Sequence, residues 1–450
     1  MMDFDTLKAR GLFDRGLPRY TSYPPAPAFH AGITADFQAR ALAALDPDVP
    51  ISLYVHIPFC ERLCWFCACR TQGVRSLAPV EHYITTLEAE LALIAGHLKG
   101  KQKVRQMHWG GGTPTILPPA LIRRLSAAID QVFERGPDSE FSVEIDPTLV
   151  DQDKITALRA AGMSRASIGV QDFAPEVQAS IGRQQSFEQT RAAVDLLRAA
   201  GITSLNLDLV YGLPFQSVPG FGRTLAQVNA LAPDRIALFG YAHVPHMAKR
   251  QQLIPEQALP DDRARFDLFT HARSVLADAG MVAIGIDHFA TPQDSMALAA
   301  QTHSLRRNFQ GYTVDGCDTL LGLGASSISR FESGFVQNTA QTGPYAKQVR
   351  AGHLPAMRGY ELTAEDRLRG RIIEMLMCDY AIDFNELDLS QAEMTLLKPA
   401  FDALRADCAG LYEERQGRLA LMPSARPLVR QLAHLFDTFT LESAGYSRVS

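Results

Sequence analysis

The sequence predicts an α/β chain built as a partly closed (β/α)6 barrel, with an N-terminal arm and a small C-terminal helical domain. Three observations carry that expectation. From residue 51 onward, apolar β-rich runs alternate with helical stretches of roughly 10–15 residues, the rhythm of βαβ units and a parallel sheet. The chemically unusual residues, four close cysteines and a triple glycine, fall just after the first two runs. Beyond Glu361 helical patterns dominate.

Residues 1–50 are irregular and proline-rich at 18–27, which reads as an extended arm with a short helix near 35–45. Strands are expected at Ile51–Ile57, Gln106–Trp109, Phe141–Ile145, Ala166–Val170, Ser204–Tyr211 and Arg235–Tyr241, with a seventh at Met281–Ile286 extending the sheet. The intervening helices are expected at Glu81–His97, Ala120–Phe133, Asp153–Ala161, Phe187–Ala200 and Gly220–Leu231. Residues 291–304 read as a loop. The barrel and its extension are thus placed at 51–330, a connection at 331–360 and the helical domain at 361–450, with helices over Glu365–Leu376 and Ala392–Leu404.

A chain of 450 residues has room for two or three domains and a large core. Hydrophobic content of 46% and charged content of 21% are ordinary for a soluble globular protein. A net charge of −5 argues against a general nucleic-acid binder, which would carry a basic face. No apolar run approaches the ~20 residues of a membrane helix. The N-terminus, MMDFDTLKARGLFDRG, lacks an apolar signal core, so a cytoplasmic location is expected.

Cys60, Cys64, Cys67 and Cys69 crowd into one loop, the first three spaced C-x3-C-x2-C. Thiolates this close suit one compact inorganic centre, and Fe–S clusters are held by cysteine thiolates. Three spaced ligands and a distinct fourth thiol suggest a cubane with one open iron. Structural zinc is the rival reading. It usually draws paired ligands from two separated places, and this chain has no second C-x2-C and no H-x3-H. A disulfide framework fits poorly with 7 cysteines, an odd and sparse set. Cys317, Cys378 and Cys408 are scattered and read as buried or incidental thiols.

Active sites of β/α barrels gather at the C-terminal ends of the strands. The second strand ends in Trp109-Gly110-Gly111-Gly112-Thr113-Pro114, where glycines let backbone approach a ligand or simply make a tight turn. In the third, Ser142, Glu144 and Asp146 share one face; in the fifth, Asn206 and Asp208 do. Carboxylates inside parallel strands are costly unless paired or bound, so they mark either a ligand site or a structural hydrogen-bond network. The fourth strand ends in Gln171-Asp172-Phe173, with Arg183 following, and the sixth in Tyr241-Ala242-His243.

The C-x3-C-x2-C loop, with Phe66 just before the third cysteine, resembles the signature of the radical S-adenosylmethionine (SAM) superfamily. That likeness implies an open iron chelating the methionine part of SAM and a 5′-deoxyadenosyl radical made by reductive cleavage. Further segments resemble oxygen-independent coproporphyrinogen III oxidase: Pro18–Pro24, Leu53–Cys60, His108–Thr115, Gly169–Phe173, Asp208–Pro214, Asp287–Ala290, Arg307–Thr313 and the ending Ser447-Arg448-Val449. The resemblance spans nearly the whole chain in order.

It implies oxidative decarboxylation of two propionates of coproporphyrinogen III to vinyl groups, giving protoporphyrinogen IX. It also implies one 4Fe-4S cluster, two SAM molecules and a low-potential electron donor such as flavodoxin or ferredoxin. By resemblance Cys60, Cys64 and Cys67 hold the cluster, and Tyr54, Gly111, Glu144 and Ile328 lie around the first SAM. Phe66, Gly112, Thr113, Gln171, Arg183, Asp208 and Ala242 match SAM-binding positions, mostly of the second molecule. Phe309 and Gln310 match residues near that second SAM, as does Cys69, which is the candidate catalytic residue. A monomer without nucleic-acid or membrane partners is expected. Arg306 stands where relatives usually have His, and Trp65 and Ala68 where Tyr and Gly are common. Two related readings compete: a haem chaperone, which typically lacks the fourth cysteine and the Arg307–Thr313 segment, and a haem-degrading radical SAM enzyme, which a product assay separates.

Overall fold

The computed structural model describes residues 2–14 and 16–439. Ser447-Arg448-Val449 lies outside them. Among the described residues the main sheet has twelve strands. Numbered along the chain they are β1 Ile51–Ile57, β2 Gln102–Gly111, β3 Phe133–Ile145, β4 Arg165–Gln171, β5 Ser204–Tyr211 and β6 Arg235–Gly240. There follow β7 Val282–Ile284, β8 His288–Ala290, β9 Leu320–Leu323, β10 Ile328–Phe331, β11 Gly334–Asn338 and β12 Ala356–Glu361. Their spatial order is β12-β11-β10-β9-β1-β2-β3-β4-β5-β6-β8-β7. β1 to β6 pair in parallel, each with the next, which is the expected six-unit β/α array.

Strand alternation decides which face is covered. Leu53, Val55, Trp109, Phe141, Val143, Ile168, Leu207, Leu209 and Leu238 point into one apolar core. The helices Ala78–Ala95, Pro119–Val132, Phe187–Ala199 and Val218–Ala230 supply its other side through Ile84, Leu125, Leu197 and Leu225. Tyr54, His108, Glu144, Ser167 and Asp208 occupy the alternate positions of the same strands, and each is only half-buried. Helices therefore cover one face of the array, and the opposite face is polar.

The structure departs from the sequence expectation at both edges. Met281–Ile286 does not add a parallel strand to β6. β7 pairs with β8, and β8 pairs with β6, both antiparallel, because the turn at 285–287 is too short for a parallel crossover. Residues 291–304 contain a helix, Ser295–Gln301, capped by Asp294. Residues 331–360, expected as a connection, carry β11, the helix Thr342–Arg350 and most of β12, so the sheet runs on to Glu361. β9 lies parallel to β1, and β10, β11 and β12 continue it antiparallel. Glu90 pins this extension from the helix side: it accepts from the backbone N of Gly324, the hydroxyl of Tyr345 and Nδ2 of Asn338, each at 2.7 Å. Burial pushes the Glu90 carboxyl up to about 7 despite these three donors.

The C-terminal region opens with Ala364–Asp379, whose Thr363 and Asp366 form a capping box, and Gln391–Asp407, capped likewise by Ser390 and Glu393. A three-stranded antiparallel sheet accompanies these helices, with Arg418–Leu421 between Ala381–Asp383 and Tyr412–Arg415. Its core includes Leu7, Leu12, Phe13, Tyr20 and Tyr23, so the first part of the N-terminal arm belongs to this layer. The later helix, Ala35–Ala44, packs instead on the main core through Phe37, Ala41 and Leu42. The arm straps the two layers together. Arg430 donates to the carbonyls of Leu17 and Pro18, and the Tyr20 hydroxyl meets Asp437 at 3.0 Å. On the barrel side Arg19 donates to the Gly240 carbonyl at 3.3 Å.

Candidate active site

The cysteine loop leaves the end of β1 and is zipped to the end of β2. Gly112 N donates to Ile57 O and Thr113 N to Phe59 O, both at 2.8 Å. A Cβ at Gly112 would stand 2.7 Å from both carbonyls, and one at Gly111, whose φ is 105°, would sit inside the His56 ring. The triple glycine is therefore a backbone-to-backbone seam that brings the Thr113 side chain to the loop. Thr113 Oγ1 donates to Cys60 Sγ at 3.4 Å.

The middle of the loop rests on the segment after β4. Trp65 N donates to Ile181 O at 2.8 Å, and a Cβ at Gly182 would strike the Trp65 indole at 2.8 Å. The Arg183 guanidinium lies within 3.5 Å of Cys64 Sγ and donates to Gly169 O at 2.9 Å. Its Nε is buried without a hydrogen-bond partner. Burial raises the Cys60 thiol to about 11. The Cys67 thiol is held below its ordinary range by a hydrogen bond from the Cys69 thiol, helped by Arg250 and Arg183.

The far end of the loop is clamped from the segment after β6. Gln251, buried, donates from Nε2 to Phe66 O at 2.8 Å and to Ala242 O at 3.0 Å, and accepts from Val244 N at 2.6 Å. Arg250 donates to Thr71 Oγ1 at 2.8 Å and to Cys69 O at 3.4 Å. Neither residue is marked by the sequence, since a glutamine and an arginine in a loop carry no periodicity. Their position after the sixth strand is the only signal.

The polar strand face continues from the loop. Tyr54 and His108 stack with centroids 5.8 Å apart and 12° between planes. The Tyr54 hydroxyl is 3.0 Å from His56 Nδ1, and His56 Nε2 is 3.1 Å from Arg70 O. Burial lowers the His56 pKa, so a neutral ring accepts from Tyr54 and donates to Arg70. Glu144 accepts from Gly111 N at 3.0 Å and lies 3.3 Å from His108 Nε2. Asp208 accepts from Asn206 Nδ2 at 2.7 Å and Ser167 Oγ at 3.1 Å. Burial, then the charge of Glu144, pushes Asp208 up to about 6. Gln171 ends β4 with φ 67°, and its side-chain amide lies over Gly169 beside Arg183. Glu144, Arg183 and Asp208 each have protein partners, so burial cost alone does not demand a ligand at these positions.

Other expected residues fall elsewhere. Ile328 begins β10 opposite Gln337, two strands from Tyr54, because Gly322 of β9 separates them. Phe309 packs edge-on to Phe335 at 5.9 Å, and Gln310 is exposed at the tip of the hairpin between Arg306–Asn308 and Gly311–Thr313. Arg306 is 3.0 Å from Glu374. Arg307 is buried with its guanidinium 4.2 Å from the Tyr312 ring centroid.

The donor set fits an iron–sulfur cluster better than a lone ion. Among the described residues no three His, Cys, Asp or Glu side chains converge as one ion requires. Thiolates that each take a different iron need no such convergence. A cluster also suits the second-layer groups present, since Thr113 and Arg183 address two different sulfurs.

Residues 54–226 match the model of the radical SAM superfamily. A curated protein of Cereibacter sphaeroides, oxygen-independent coproporphyrinogen III oxidase, is 52% identical over 100% of both chains. The protein of that name in Pseudomonas aeruginosa is 37% identical over 97% of each. A solved structure, coproporphyrinogen III oxidase from Escherichia coli, described as a radical SAM enzyme, is similar with a TM-score of 0.90 and 36% identity. It covers 97% of this chain and 99% of its own.

Proposed function

This chain belongs to the oxygen-independent coproporphyrinogen III oxidases of the radical SAM superfamily, and from that membership we propose how its own residues serve the reaction. The activity is the oxidative decarboxylation of two propionates of coproporphyrinogen III to vinyl groups, giving protoporphyrinogen IX in haem biosynthesis. Each conversion removes one hydrogen atom, one CO2 and one further electron from the substrate. When bound, the 4Fe-4S cluster supplies the electron that cleaves SAM, and SAM supplies the hydrogen-abstracting group.

Cys60, Cys64 and Cys67 hold the cluster. Thr113 and Arg183 stabilise the thiolates of Cys60 and Cys64 by hydrogen bonding and charge. The half-met Arg183 guanidinium has a donor left for a carboxylate of SAM. Glu144 keeps an oxygen toward the cleft for an ammonium, and Asp208 accepts from ribose hydroxyls. Phe66 and Tyr54 exclude water. Gly111, Gly112, Gln171 and Ala242 contribute backbone or amide contacts on the same face. Phe309, Gln310 and Ile328 reach this face only with ligands in place, from the outer hairpin and β10. Cys69, held against Cys67 and exposed, acts next to the second SAM.

Two propionates each need one hydrogen abstraction, which supports two SAM molecules per chain. The polar groups fall in two matching sets, one around Tyr54, Gly111 and Glu144 and one around Gln171, Arg183, Asp208 and Ala242. A low-potential donor such as flavodoxin or ferredoxin reduces the cluster, and the protein works as a cytoplasmic monomer. Among the described residues no helix is long and apolar enough to cross a membrane.

The observation that carries this reading is convergence: groups from the ends of β2 and beyond β4 reach two sulfurs of one loop. Anaerobic incubation of the reconstituted protein with SAM, a reductant and coproporphyrinogen III tests it. Protoporphyrinogen IX and CO2 are expected, and SAM cleavage with unchanged tetrapyrrole overturns it.

A further inference from the structure

Beside the last strands lies a second chemical environment that the cluster loop does not use. A cavity of ≈ 960 Å³, counting solvent at its mouth, opens between the sheet edge, the N-terminal arm and the C-terminal layer. Among the described residues its charged lining is Arg19, Arg265, Arg273, Arg426 and Arg430 against the single carboxylate Asp287. That carboxylate is already engaged, by His288 at 2.6 Å and Arg19 at 3.7 Å. Arg430 is 4% exposed, and its partners are carbonyls, not anions. Burial and the like charges of Arg19 and Arg307 push its pKa down, yet a guanidinium stays protonated, so the cavity holds uncompensated positive charge. Arg426 Nε is buried without a hydrogen-bond partner. The remaining wall is apolar, with Leu12, Phe266, Phe269 and Ile286.

Buried like charges are retained where an anion completes them. Apolar walls edged by guanidiniums suit an apolar ring bearing carboxylates, in a volume of the ordinary ligand range of roughly 300–1,000 Å³. The placement matters. Tyr211 ends β5 three residues after Asp208, and Gly240 ends β6 two residues before Ala242, and both line the cavity. Tyr211 faces the helix side, 5.4 Å from Phe269, while Asp208 lies on the polar face. The cavity is thus adjacent to the reaction face but turned away from it.

We propose that this arginine-lined cavity anchors the two carboxylates of the tetrapyrrole that do not react. This rests on the oxidase reading above. A substrate with four propionates of which two are converted needs two kinds of recognition: reacting side chains near the cluster, and permanent charge for the retained pair. Fixed guanidiniums, aimed away from the reaction face, supply the second kind.

The test uses the full-length reconstituted protein with Arg273→Gln/Arg426→Gln, and Arg273→Lys/Arg426→Lys as the charge-keeping control. Anaerobic turnover gives KM and kcat for coproporphyrinogen III, and quenching of intrinsic fluorescence gives the Kd of protoporphyrinogen IX. The product keeps the retained carboxylates, so KM and product Kd should rise together, about tenfold per lost guanidinium contact, with kcat little changed. The lysine pair should recover much of the loss. Unchanged KM and Kd in an active, folded glutamine variant overturns the proposal. A weakened product Kd with unchanged KM also overturns it, assigning the cavity to a second tetrapyrrole. Wild-type protein that binds but does not convert the substrate overturns the oxidase reading, and the binding measurements then decide the cavity separately.

Discussion

Gln251 holds Phe66 by a single amide nitrogen, Nε2 to carbonyl at 2.8 Å, and the same nitrogen reaches Ala242 O at 3.0 Å. One buried side chain thereby fixes the distance between the cysteine loop and the end of β6. Gln251→Glu keeps an acceptor for Val244 N but removes both donations. We expect iron content after anaerobic gel filtration to fall, with a stability loss of about 1–3 kcal/mol for the unsatisfied groups. Full iron retention and an unchanged melting curve would show that the loop does not depend on this clamp.

The cluster itself should contain about four irons and four acid-labile sulfides per chain. Cys60→Ala, Cys64→Ala and Cys67→Ala should each abolish it. Cys69→Ser should retain iron, sulfide and SAM binding but lose conversion of coproporphyrinogen III. Loss of the cluster in Cys69→Ser would make that thiol a ligand, and stoichiometric zinc without sulfide would reject the cluster.

Glu144→Gln and Arg183→Gln address SAM. Each removes a charge-assisted contact and should weaken SAM binding by roughly 1.5–3 kcal/mol. Their partners in the protein, Gly111 N and Gly169 O, permit a purely structural role. Calorimetric titration with SAM beside a melting curve separates the two: normal SAM affinity with a much lower melting temperature favours structure.

Glu90 gives the fold a pH dependence with a definite sign. Its folded pKa, about 7, lies above the ordinary 4.5, so the folded state binds the extra proton between these values. The penalty is absent below about pH 4.5, grows as pH rises through 7, and is complete above it, at most about 3 kcal/mol. Denaturant midpoints should fall between pH 5 and 8. Glu90→Gln should flatten this slope even where it lowers stability overall, because an amide cannot accept from all three donors. An equal slope in the variant would remove Glu90 as its source.

How much of this was legible in the sequence follows from range. The six parallel strands were readable because each is a local run of alternating apolar residues, as at Leu205, Leu207 and Leu209. Placement of β9 beside β1 was not, because Leu320–Leu323 is short and its partner lies far away in the chain. The region 331–360 looked like a connection since β11 and β12 are edge elements whose pairing is tertiary. At the site, the cysteines, glycines and Glu144 were visible as chemistry out of place in a β/α pattern. Gln251, Arg250 and the arginines around Asp287 were not, since a polar residue in a loop looks the same whether it faces water or clamps a neighbour.

The strap between Leu17 and Arg430 sets an order in time. Its hydrogen-bonded partners are 412 and 413 positions apart, so the N-terminal segment emerges from the ribosome long before the helix that receives it. By then β1 to β6, the cysteine loop and its clamp can already be folded. The cofactor side of the protein is thus assembled first, with the arm hanging loose. The wall formed by the C-terminal helix closes only when synthesis ends.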